Sequence, residues 1–148
     1  VEELFRLLHK EGVHTALDTS GVGNLEAARR VLEHTDLILG DLKFATPEEY
    51  KTHCKADIEK VLSFYRLAAE GTVPLWVRHV VVPGLNDNLE DLRAIKTLGG
   101  ILPNLGEDRV AAFHNLCLEK TSKSGIPFPL EGTDNLDDRR LEELVSQL

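Results

Sequence analysis

The 148-residue sequence contains no methionine, and it opens on Val1 rather than on an initiator. Val1, Leu4, Phe5, Leu7 and Leu8 read as the middle of an amphipathic helix, so the expectation is an internal or carboxyl-terminal piece of a longer protein. Cysteine is scarce. Cys54 and Cys117 lack metal-ligand spacing and are too few for a disulfide framework, which points to a reducing, cytoplasmic setting. Basic residues are outnumbered, 17 Lys and Arg against 25 Asp and Glu. A net charge of −8 excludes a general nucleic-acid binder, because phosphate contacts need a basic surface. No apolar run approaches the roughly 20 residues of a spanning helix, and no signal peptide is visible, so no membrane partner is expected. What is present is ordinary globular composition, 42% hydrophobic and 28% charged, over a length that suits a single domain with a real core.

Punctuation along the chain sets the order of elements. A first helix ends near Gly12, a good C-terminal glycine. A strand follows over 13–18, then the turn Thr19-Ser20-Gly21 and a helix over 25–34 that Asn24 can cap. A second strand occupies 36–41. Thr46-Pro47-Glu48-Glu49 starts a short helix with capping-box spacing and proline at its first position. Asp57 caps a longer helix to about Glu70, and a third strand runs over 74–82 to Pro83-Gly84. Asp87 with Glu90 opens the next helix, a fourth strand covers 109–114, and a loop over 122–133 leads to a last helix from Leu136. Helices alternating with strands imply a parallel sheet with right-handed crossovers. Solid apolar stretches such as Leu75-Trp76-Val77 and Val80-Val81-Val82 fit strands covered on both sides.

The segment Asp36-Leu37-Ile38-Leu39-Gly40-Asp41-Leu42-Lys43 says most about chemistry. Side chains alternate across a strand, so Leu37, Leu39, Asp41 and Lys43 share one face, apolar at its start and charged at its carboxyl end. Ligands of parallel α/β proteins sit at that end. Asp18 ends the first strand, Arg78 lies inside the apolar third strand, and His114 ends the fourth. A barrel brings neighbouring strand ends around one cavity, which is the simplest use of these residues, although a flavodoxin-like open sheet also satisfies the pattern. Four strands cannot close a barrel, so the missing ones are expected before Val1. The blander alternative is an Asp–Lys salt bridge at a strand end, with Arg78 paired to Asp41 and with Asp18, Thr19 and Ser20 forming only a turn. His9, His14, His34, His53 and His79 show no ligand spacing and read as ordinary, and the acidic helix over 137–143 reads as a solvated face.

The runs His14-Thr15-Ala16-Leu17-Asp18-Thr19-Ser20-Gly21, Asp41-Leu42-Lys43 and Trp76-Val77-Arg78-His79-Val80-Val81-Val82-Pro83-Gly84 occur in the order and spacing of a known family. Phe113-His114-Asn115-Leu116 and Gly125-Ile126-Pro127-Phe128-Pro129-Leu130 continue the match. The chain resembles the radical S-adenosylmethionine enzymes that activate glycyl-radical enzymes, from about Leu4 to its end. The resemblance implies an α/β fold, the carboxyl-terminal half of a partial (β/α)6, TIM-like barrel. It also implies S-adenosylmethionine beside a [4Fe-4S] cluster, and a 5′-deoxyadenosyl radical that takes hydrogen from a glycine of the partner. A flavodoxin or ferredoxin would supply the electron. On this resemblance Asp41, Leu42, Lys43 and His114 bind the cofactor. Asp18, Thr19, Leu39 and Asp41 hold a monovalent cation, Na⁺ or K⁺. Arg78, near the loop carrying the target glycine, is the candidate catalytic residue. Gly40 stands where the family more often has a bulky apolar residue. The family's CxxxCxxC and Gly-Gly-Glu motifs do not occur, so the expectation is a piece that is inert alone and that associates through an exposed sheet edge. Two other readings compete: a Schiff-base aldolase or decarboxylase using Lys43, and a non-catalytic module that recognises the partner's glycine loop.

Overall fold

The computed structural model describes residues 1–102, 105–114, 123–125 and 127–148. Cys117, the Asn115-Leu116 part of one motif, Ile126 and the start of the predicted 122–133 loop lie outside the described residues. Helix α1 spans Glu2–Lys10, and Gly12 takes the left-handed conformation just beyond it (φ 68°). Strand β1 (Ala16–Thr19) leads to α2 (Leu25–Leu32), whose first turn is closed by Asn24 Oδ1 accepting from Ala27 N–H at 2.9 Å. Strand β2 spans Leu37–Asp41. Thr46 caps α3 (Pro47–Glu49) as its spacing predicts. This helix continues as a π-helical turn, Tyr50–Cys54, that stops at left-handed Lys55 (φ 53°). Asp57 caps α4 (Ile58–Ala69). Strand β3 (Leu75–Val81), α5 (Leu89–Gly100), β4 (Leu105–Ala112) and α6 (Asp138–Val145) complete the order.

The chain forms two compact units, Val1–His79 with Ala94–Arg109, and Val80–Arg93 with Val110–Leu148. Strand order in the sheet is β1-β2-β3-β4. β1 pairs parallel with β2, and β2 with β3. The order follows the chain without reversal, as in a segment of a (β/α) barrel; a doubly wound sheet reverses at its switch point. In the first unit the register sets Asp18 beside Leu39, Leu39 beside Trp76, and Asp41 beside Arg78. The strands are covered on one face only, not on both. Ile38, Leu75, Val77 and His79 are buried, while Leu37, Leu39, Asp41, Trp76 and Arg78 alternate with them as half-buried residues. The apolar runs in β2 and β3 thus line an open face as well as a core.

The core of the first unit is Ile38, Leu42, Val61, Tyr65, Leu75 and Val77, with α4 beneath the sheet. The second unit is built around Val81, Leu92, Leu136 and Leu144, with Leu89, Val110 and Leu141 packed on them. In that unit Asn88, not Asp87, caps α5: its Oδ1 accepts from Asp91 N–H at 3.0 Å. Asp87 instead takes the Gly84 amide at 2.8 Å and closes the turn after β3. Strand β4 begins and ends earlier than predicted, so His114 stands two residues past it, exposed.

Candidate functional site at the strand ends

Three strands of the first unit deliver four charges to one place. Arg78, from β3, donates from Nη1 and Nη2 to the two oxygens of Asp18 at 3.1 and 2.5 Å. Its Nε and Nη2 reach Asp41 Oδ1 at 3.1 and 2.9 Å. Lys43 Nζ holds the other Asp41 oxygen at 2.9 Å. The array is neutral, two acids with two bases, and graded in depth. The side chain of Asp41 is 19% exposed, Arg78 30%, Lys43 37% and Asp18 63%. Burial works against the Arg78 charge. The hydrogen bond to Asp18 and the charge of Asp41 outweigh it and raise the Arg78 pKa above its ordinary value. An apolar hollow of about 390 Å³, lined by Leu17, Thr19, Val31 and Phe64, lies on the opposite face of β1 and contains none of these charges.

Behind the array the backbone is held from the buried side. His79 Nδ1 lies 2.8 Å from the Leu42 carbonyl oxygen. A carbonyl only accepts, so that ring nitrogen carries the proton. Tyr50 Oη accepts the Lys43 amide at 2.9 Å, and the phenol is buried enough that its pKa is pushed up to about 12. Tyr65 fills the space below Gly40. A Cβ at position 40 would stand 2.8 Å from Tyr65 Cε1 and Oη and 3.1 Å from Leu75 Cδ1. The Tyr65 hydroxyl is buried without a hydrogen-bond partner among the described residues, and burial drives its pKa far upward. Burial also raises the Cys54 thiol against the pull of Lys43.

Of the residues singled out in the sequence, Asp18, Asp41, Lys43 and Arg78 meet. The Leu42 side chain points into the core, so only its main chain borders the array. Thr19 faces away from Asp18, and its hydroxyl accepts the Gly21 amide at 3.0 Å, which leaves its main chain alone on offer. His114 belongs to the second unit and is exposed there. Sequence reading missed Tyr50 and Tyr65 and passed over His79. The one visible signal was Gly40, since glycine inside a strand marks a close approach.

No family model matches the chain. A pyruvate formate-lyase-activating enzyme of Staphylococcus epidermidis is 34% identical over 149 residues, covering 97% of this chain and 59% of that enzyme. Over nearly all of its own length, this chain is thus similar to the pyruvate formate-lyase-activating enzymes. The Streptococcus mutans enzyme is 33% identical over 135 residues, covering 87% of this chain and 51% of its own length. The chain therefore spans little more than half of the relatives it matches. A domain of a pyruvate formate-lyase-activating enzyme from Bacteroides vulgatus has the same fold, with a TM-score of 0.77 at 18% identity over 98% of this chain and 81% of that one. TYW1, solved with a lysine-pyruvate adduct bound, gives a TM-score of 0.64 at 15% identity, covering 99% of this chain and 43% of its own. Among the described residues no helix is long and apolar enough to cross a membrane.

Proposed function

We propose that the chain forms the ligand-holding strand ends of a cytoplasmic radical S-adenosylmethionine oxidoreductase that generates a glycyl radical on a partner enzyme, pyruvate formate-lyase first among candidates. One observation carries the reading. A chain 34% identical to an activating enzyme gathers Asp18, Asp41, Lys43 and Arg78 at the carboxyl ends of three successive strands. The chemistry of the four suits the cofactor. Asp41 would accept from ribose hydroxyls, and Lys43 would meet a carboxylate or ribose oxygen. The main chain of Leu42, held by His79 from behind, fixes the spacing between them. For His114, exposed in the second unit, a ribose contact is supported by the resemblance alone. Two carboxylates already converge on one positive group, and an all-oxygen donor set suits a hard cation. Asp18 and Asp41, with main-chain oxygens of Thr19 and Leu39, would hold Na⁺ or K⁺. Arg78 would offer its guanidinium to the peptide around the target glycine. When bound, S-adenosylmethionine supplies hydrogen-abstracting radical chemistry on receipt of one electron, from a flavodoxin or ferredoxin by way of the cluster. A [4Fe-4S] cluster does not fit this chain: it needs closely spaced thiolates, and the sequence holds only Cys54 and Cys117. The cluster ligands are assigned outside these 148 residues, and the chain alone is expected to be inert.

Lys43 contacts Asp41 through Nζ, which suits a charged contact to a ligand better than attack on a carbonyl. Calorimetric titration with S-adenosylmethionine tests the reading, using the chain joined to the amino-terminal part of a matching enzyme. Lys43→Ala removes a charge-assisted hydrogen bond of roughly 1.5–3 kcal/mol, about tenfold to a hundredfold in affinity. Unchanged affinity would leave Lys43 a structural salt bridge, and borohydride trapping of a carbonyl compound on Lys43 would favour the Schiff-base reading.

A further inference from the structure

All four carboxylate oxygens of Asp18 and Asp41 are taken by the chain's own cations: both Asp18 oxygens and Asp41 Oδ1 by Arg78, and Asp41 Oδ2 by Lys43. A metal cation bridging the two acids would need oxygens that the planar guanidinium already occupies, so ion and guanidinium exclude each other there. We propose that Arg78 is a built-in stand-in for the monovalent cation, neutralising Asp18 and Asp41 until the ion enters and swinging free toward ligand when it does. The inference rests on the cation site proposed above and adds a competitor to it.

The gradation of exposure gives the exchange a direction. Asp18 lies mostly in water, where an ion pair holds weakly, whereas Asp41 is the deeper anchor. The Asp18–Arg78 end is therefore the one that opens. Charge also changes in a useful way. Before exchange the array is neutral; afterwards the ion has been added and Arg78 retained nearby, so the strand ends carry one net positive charge and favour an anionic or carbonyl-bearing ligand. The coupling is reciprocal: a ligand that draws Arg78 away from Asp18 frees oxygens and strengthens ion binding by the same factor.

The test uses the isotopically labelled chain, titrated with potassium chloride and, as a control, with tetramethylammonium chloride at equal ionic strength. Potassium alone is expected to shift the Asp18 and Asp41 carboxyl signals saturably and the Arg78 Nε–H signal with the same midpoint. Arg78→Gln removes the competitor, and potassium should then bind about tenfold tighter, within the usual range of coupling between sites. Arg66→Gln, the same charge change on exposed α4, should leave affinity unchanged, and adding Asp18→Asn to Arg78→Gln should abolish binding. Carboxyl shifts with an unmoved Arg78 signal, or equal affinity in wild type and Arg78→Gln, would overturn the stand-in while leaving the cation site intact. No potassium-specific change in any form would overturn both. The wild-type titration decides the matter even if Arg78→Gln fails to fold.

Discussion

The two faces of β2 differ in kind although their residues alternate along one strand. On the open face Asp41, and Lys43 just beyond the strand, sit among charges that share partners and are partly wet. On the covered face Ile38, Gly40 and Leu42 are buried against α4 and β3, and the main chain is tied at Leu42 and Lys43 by His79 and Tyr50. The contrast separates two tasks. Ion pairs in contact with water are individually weak and can exchange partners, whereas a packed face tolerates almost no change of volume. The strand can present interchangeable charges because its other side does not move.

The largest expected effect is on activity. Reconstituted with iron and sulfide under anaerobic conditions, the chain alone should form no cysteine-ligated cluster absorption and should not cleave S-adenosylmethionine on reduction; either result would refute the placement of the cluster ligands elsewhere. On stability, Gly40→Val should act hardest, because the new side chain would meet Tyr65 at a distance real Cβ atoms do not adopt and would crowd Leu75 as well. A loss of at least about 1–3 kcal/mol is expected from overpacking, read as a lower urea midpoint. Lys43→Ala, on the open face, should cost no more than about 1 kcal/mol by the same measure. Equal effects from the two variants would erase the distinction between the faces.

Tyr50→Phe sharpens the comparison, since it leaves the Lys43 amide without its acceptor at a cost of about 1–3 kcal/mol. It also carries a pH signature. The folded-state pKa of Tyr50 is raised from 10.0 to about 12, so the neutral phenol is favoured by folding. Its contribution is fully present below the unfolded value and is lost as pH rises through the folded one. Wild-type stability should fall over that alkaline window, and Tyr50→Phe should fall less steeply; parallel curves would count against the buried-phenol account. The smallest effect expected concerns association. β1 stands at the end of the strand order, and Val1, Leu4, Leu7, Val13, Val22 and Leu25 are exposed. Light scattering at micromolar concentration should report dimers or larger species, as unpaired strand edges and apolar patches promote. A stable monomer would contradict this.

The open face was far easier to read in the sequence than the covered one. A pair of charges after Leu37 and Leu39, and a lone arginine in an apolar strand, violate local pattern and so announce themselves. Their mutual pairing was harder: Arg78 meets Asp18 across 60 positions of sequence, and only strand register brings them together. The helix after Pro47 was legible through its cap, but its π-helical continuation was not, and that turn carries Tyr50. Gly106 was not singled out in the sequence. It lies inside the strand because a Cβ there would press on Trp76 at 3.1 Å, so close approach, not a turn, demands the glycine. At Asn88 two residues with capping chemistry competed, and backbone geometry chose the second.

Trp76 is the sole tryptophan of the chain, and it sits on the open face, two positions before Arg78 and beside Leu39, with the Arg109 guanidinium 4.3 Å above its ring. The protein thus carries a single indole, excitable at wavelengths its two tyrosines do not absorb, one strand pleat away from its charged array. Its emission belongs to one known position, so a ligand or ion arriving among Asp18, Asp41 and Arg78 can be followed optically, in real time and without a label.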